Sequence, residues 1–79
     1  MTLLEATQLR IKQLFEKNNM NINQLAIASG INPSTIRSIF KVITKCPSSE
    51  TIHYICIGFG ISLKDFYDSE LFNELDDND

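Results

Sequence analysis

The segment NINQLAIASGINPSTIRSIF, residues 21–40, constrains the fold more than any other part of the chain. It sets two short helical patterns around one glycine. Asn21 is a helix N-cap, and Gln24 three residues later completes a capping box. Ile22, Leu25, Ala26 and Ser29 continue a short helix, and Gly30 ends it by taking the positive φ that other residues resist. Asn32 then caps the next helix, with Pro33 at its first position, where a missing N–H costs nothing. Ile36, Ile39 and Phe40 form the apolar stripe of that helix, while Ser34, Thr35, Arg37, Ser38 and Lys41 lie on its other faces.

Two short helices joined by a tight glycine turn make a helix-turn-helix. Leu25 and Ala26 precede Gly30 by five and four residues, and Ile36 and Ile39 follow it by six and nine. Ala26 is small enough for the two helices to cross closely. Ile31, Ile36 and Ile39 lock the second helix at a fixed angle, so that its N-terminal face projects outward as a major-groove reader requires.

The flanking sequence supplies more helices. Leu4, Ile11, Leu14 and Phe15 share one stripe, which predicts a first helix from about Leu4 to Lys17, stopped by Asn18 and Asn19. Residues 42–47 form a loop ending in Pro47. Ser48 caps a fourth helix with Glu50 in its first turn. There the periodicity is double. Ile55, Ile57, Phe59 and Ile61 alternate as in a strand, whereas Ile52, Ile55, Cys56 and Phe59 fit a helix; the cap and a stop at Gly58 and Gly60 favour the helix. Ser62 opens a fifth, with Leu63, Phe66 and Tyr67 apolar, and Leu71, Phe72 and Leu75 extend it or form a sixth. Asp76 to Asp79 are expected to fray. The expectation is an all-α, compact bundle of about five helices, with the domain in residues 1–72 and an acidic tail in residues 73–79.

Composition narrows the function classes. A chain of 79 residues with 43% apolar side chains supports one modest core and no second layer for a catalytic cleft. No apolar run approaches the roughly 18 to 20 residues of a membrane helix. The start MTLLEATQLRIK shows no signal-peptide pattern. Two cysteines make neither a disulfide framework nor a zinc pattern, which points to a reducing cytoplasm. Cys46, His53 and Cys56 lack a fourth ligand, and Cys56 falls on the core stripe, so neither metal nor cofactor is expected. A single histidine in so small a domain argues against an enzyme. The net charge of −3 hides an asymmetry: residues 1–47 carry +4 and residues 48–79 carry −7. A basic half can face a polyanion while the acidic half faces away.

The stretches RIKQLF, NINQLAIASGINPSTIRSIF and TKCPSSETIHYICIGFGISLKDFY resemble the Cro/repressor-type, or lambda-repressor-like, helix-turn-helix family, over about Arg10 to Tyr67. The resemblance implies a five-helix domain that binds operator-like double-stranded DNA, usually as a homodimer, to regulate transcription in a bacterium, phage or mobile element. Carried onto this chain, base reading falls to Asn32, Ser34, Thr35 and Ser38, with Arg37 beside them. Phosphate contact falls to Asn21, Asn23, Lys41, Thr44 and Lys45. Their chemistry suits these roles, since Asn pairs with adenine, Arg with guanine, and hydroxyls with several bases.

Three departures stand out. Family members often open the second helix with a phosphate-clamping Gln, where this chain has Ile22. They commonly carry Gly and a basic residue after the third helix, where this chain has Val42 and Ile43. Many pair an Arg in the first helix with a Glu ending the third; here the positions hold Phe15 and Phe40, so an ion pair has become an aromatic contact, an exchange that is often neutral or stabilising. Ile22, Val42, Ile43 and the acidic tail also fit a second reading, a protein-docking module on the same scaffold with weak or no DNA binding.

Overall fold

The computed structural model describes residues 1–41 and 45–76. Its elements are α1 (Leu3–Asn18), α2 (Ile22–Ser29), α3 (Pro33–Lys41), α4 (Ser49–Phe59), α5 (Leu63–Tyr67) and one 3-10 turn (Glu70–Asn73). No strand occurs among the described residues.

Local capping chemistry starts nearly every helix. Asn21 and Gln24 bond each other's backbone in the expected capping box, at 2.8 and 2.9 Å. Ser48 accepts from Thr51 N at the start of α4. Two further boxes escape the sequence reading: Thr2 with Glu5 ahead of α1, and Ser62 with Asp65 ahead of α5. The Thr2 backbone N–H holds the Glu5 carboxyl below its ordinary range. Helix ends are equally local. Asn19 closes α1 in the left-handed region at φ 52°, and Gly30 closes α2 at φ 75°. Asn18 does not stop α1 but lies inside it, donating from Nδ2 to the Leu14 carbonyl.

The core runs through every α-helix. Ile11 and Leu14 of α1, Leu25 of α2, Ile36 of α3, Ile52, Ile55 and Cys56 of α4 and Phe66 of α5 are fully buried together. Burial pushes the Cys56 thiol up, as expected for a structural cysteine. The double periodicity of residues 52–61 resolves as helix, with Ile52, Ile55, Cys56 and Phe59 inward and Ile57 exposed. Phe15 lies 6.4 Å from Phe40 and edge-on to Phe59 at 5.4 Å, the aromatic contact expected in place of an ion pair.

Gly58 differs from its expected role. It sits inside α4, and only Gly60 ends the helix, at φ 73°. A Cβ on Gly58 would lie 2.6 Å from Leu25 Cδ1 and 3.0 Å from Ser29 Cβ, so the missing side chain is what lets α4 approach α2. Leu63, Tyr67 and Tyr54 are more exposed than their apolar character suggests, and burial of its ring still pushes the Tyr67 hydroxyl up. Asp76 is not frayed: its backbone N–H donates to Met1 O, and its carboxylate pairs with the Met1 ammonium at 3.1 Å. Residues 77–79 of the acidic tail lie outside the described residues.

Candidate nucleic-acid interface

The helix-turn-helix is held by polar links as well as by its core. Ser29 Oγ accepts from Ile31 N across the turn after α2. Gln8 of α1 donates from Nε2 to the Ile39 carbonyl of α3 at 2.7 Å. Nothing local in the sequence signals that bond, since its partners lie 31 positions apart. Arg10 acts the same way on another helix, donating to the Phe66 and Asp65 carbonyls at 2.7 and 2.8 Å. Of the six basic side chains in residues 1–47, Arg10 is therefore engaged in the fold.

With Ile36 and Ile39 buried, α3 turns Ser34, Thr35, Arg37, Ser38 and Lys41 to solvent. At about 100° per residue, Ser34, Ser38 and Lys41 project opposite the apolar stripe of Ile36, Ile39 and half-buried Phe40, while Thr35 and Arg37 fall on its two flanks. Asn32 Oδ1 accepts from Ser34 N at 2.9 Å and from Ser34 Oγ at 2.8 Å. The cap occupies that oxygen, and the Asn32 amide keeps its Nδ2 donors for other partners. Ser38 Oγ donates to the Thr35 carbonyl, which leaves its acceptor lone pairs for other partners. Among the described residues nothing bonds the Thr35 hydroxyl or the Arg37 guanidinium.

Each flank of α3 meets a shoulder of mixed polar and apolar side chains. On one side a cleft of 280 Å³ separates Thr35 and Ser38 from Lys45, Cys46, Ser48 and Thr51 at the entry to α4. Lys45 is exposed there, and Ser48 and Thr51 share a hydroxyl hydrogen bond of 3.0 Å. The sequence reading reached Lys45 but not Cys46, Ser48 or Thr51; the cap at Ser48, three positions after Lys45, was the available signal. On the other side a depression of 480 Å³ joins Arg37 to Asn21, Ile22 and Asn23 at the start of α2, floored by Phe15 and Met20. Among the described residues no acidic group lines either space.

The expected phosphate residues therefore divide. Asn21 and Asn23 stand on the α2 shoulder, Lys45 on the α4 shoulder, and Lys41 is exposed at the end of α3. Thr44 lies outside the described residues, as do Val42 and Ile43. Ile22, one of the apolar features of the docking reading, is half-buried against the core. Ile27, not singled out in the sequence, is the more exposed apolar side chain at 86%. Among the described residues no group of three or more His, Cys, Asp or Glu side chains could hold a metal ion. No helix among them is long and apolar enough to cross a membrane.

The family of the Cro/C1-type HTH DNA-binding domain matches residues 10–70. No curated protein matches the sequence. Among solved structures, the crystal structure of the prophage Lp1 protein 11 is similar. It is 33% identical, with 95% of this chain and 99% of that chain covered and a TM-score of 0.80.

Proposed function

The chain belongs to the Cro/C1-type helix-turn-helix DNA-binding family, and from that premise we propose that it is a small, repressor-like transcriptional regulator recognising specific double-stranded DNA sites. In this reading α3 enters the major groove, which is about 12 Å wide and admits one helix. The single observation that carries it is the outward polar face of α3, set between two shoulders that carry Asn21, Asn23 and Lys45 and that no carboxylate lines. Ser34, Thr35 and Ser38 offer hydroxyls to base edges, with Asn32 Nδ2 at the helix start. Asn21, Asn23, Lys41 and Lys45 meet the two phosphate strands and fix the register. One recognition helix covers few base pairs, so a two-fold pair on two half-sites is the expected assembly.

Selection of bound fragments from random duplex DNA tests this reading. Enrichment of one motif, with affinity falling steeply as salt rises, supports it. No enrichment, with intact folding, would transfer the function to protein docking, for which exposed Ile27 is the supporting observation.

A further inference from the structure

Arg37 enters the sequence reading as a base contact, because arginine pairs well with guanine. The geometry points to another role: we infer that Arg37 contacts a phosphate of the DNA backbone from the α2 shoulder and does not read a base. The inference rests on the DNA-binding reading above and refines it.

Three observations carry the assignment. First, Arg37 leaves α3 on a flank. Ser34, Ser38 and Lys41 point away from the apolar stripe of Ile36, Ile39 and half-buried Phe40, and Arg37 is rotated from them toward Phe40. A side chain as long as arginine on the flank of a groove-bound helix reaches the wall of the groove, which is sugar and phosphate, whereas the short Thr35 on the other flank does not reach so far. Second, Arg37 lines the same depression as Asn21 and Asn23, residues of another helix start. Phe15, Met20 and Ile22 supply an apolar wall along which the arginine stem can lie while its head stays in water. Third, the guanidinium has no bond or ion pair among the described residues, and no acidic side chain lines the depression. An unpaired guanidinium beside two carboxamides is a donor set for a phosphodiester, whose oxygens only accept.

The assignment has a consequence for specificity. With Arg37 on the backbone, direct base reading falls to the short side chains Ser34, Thr35 and Ser38 and to Asn32 Nδ2. Hydroxyls discriminate bases weakly compared with a bidentate arginine. The α2 shoulder also regains a contact that Ile22 cannot make, from a residue of the neighbouring helix.

Fluorescence anisotropy on two duplexes tests it, one carrying the selected site and one of unrelated sequence, each titrated with salt. The variants are Arg37→Ala and Arg37→Lys, with thermal melting as the folding control, since the side chain is exposed. Arg37→Ala is expected to weaken both duplexes by the same factor, about tenfold. It should lower the slope of log affinity against log salt by roughly one, and Arg37→Lys should restore most of both. Repeating the selection with Arg37→Ala should return the same motif. A motif that loses its preference at one base pair, with no rescue by lysine, would overturn the assignment and leave the DNA reading intact. Unchanged affinity on both duplexes would also overturn it. Wild-type protein that binds neither duplex would remove both.

Discussion

The turn that ends α2 has a counterpart at the end of α4. Gly30, Ile31 and Asn32 lead into α3; Gly60, Ile61 and Ser62 lead into α5. Both glycines are left-handed, at φ 75° and 73°, and both would carry a Cβ into open space. Both isoleucines are half-buried, both polar residues cap the next helix, and the fourth helical residue after each cap is fully buried, Ile36 in one case and Phe66 in the other. Even the tethers correspond. Gln8 holds a carbonyl near the end of α3, and Arg10, two positions on, holds carbonyls near the end of α5. What differs is the outward face. Helix α3 runs for nine residues and shows hydroxyls, Arg37 and Lys41; α5 runs for five and shows Lys64 and Asp65, with Asp68 as its end cap. Local turn chemistry thus anchors a helix twice in this chain, and only length and charge suit one copy to a polyanion.

The largest effects should come from the two anchors. Phe66→Ala is expected to cost about 3–5 kcal/mol and Ile36→Ala about 2–5 kcal/mol, because each opens a cavity in a shared core. Urea denaturation measures both. A loss below about 1 kcal/mol at either position would break the equivalence of the turns.

The tethers should separate next. Arg10→Ala removes two charge-assisted bonds to carbonyls, and about 2–3 kcal/mol should be lost. Gln8→Ala removes a neutral bond to α3, and about 1 kcal/mol should be lost. Hydrogen exchange should show α5 loosening in the first variant and the end of α3 in the second.

The glycines sharpen the comparison further. Gly30→Ala and Gly60→Ala should each cost about 1–2 kcal/mol, from backbone strain alone, since neither new methyl meets a neighbour. Thermal melts of the two variants should nearly coincide. A large gap would mean that one turn carries strain the other lacks.

Much of this was legible in the sequence because it is local. The caps at Asn21, Asn32, Ser48 and Ser62, the stops at Asn19 and Gly30, and the core stripes each follow from residues within four positions of one another. The exchange of an ion pair for Phe15 and Phe40 was legible because both members of the pair had changed together. Gly58 was not, since a glycine near a helix end reads as a stop, and only the position of α2 turns it into a point of close approach. Gln8 and Arg10 were equally silent: their bonds span 31 and 55 to 56 positions, and a polar residue on an exposed helix carries no mark of such a partner. In the candidate site, the outward residues of α3 followed from periodicity. The two shoulders did not, because they depend on how α2 and α4 sit against it.

The smallest structural effect should belong to the outward faces. Ser38→Ala and Lys64→Ala should each change stability by less than about 0.5 kcal/mol in urea denaturation. Only Ser38→Ala should weaken binding to the selected duplex in a gel shift.

In the proposed function α3 and its shoulders, and not the look-alike turn at α5, form the DNA surface. Amide chemical-shift mapping of labelled protein, titrated with the selected duplex, tests it most directly. The largest changes should fall in residues 21–23, 32–41 and 45–51, with residues 63–67 nearly unmoved. Changes centred on residues 60–67, or none at all at saturating duplex, would contradict it.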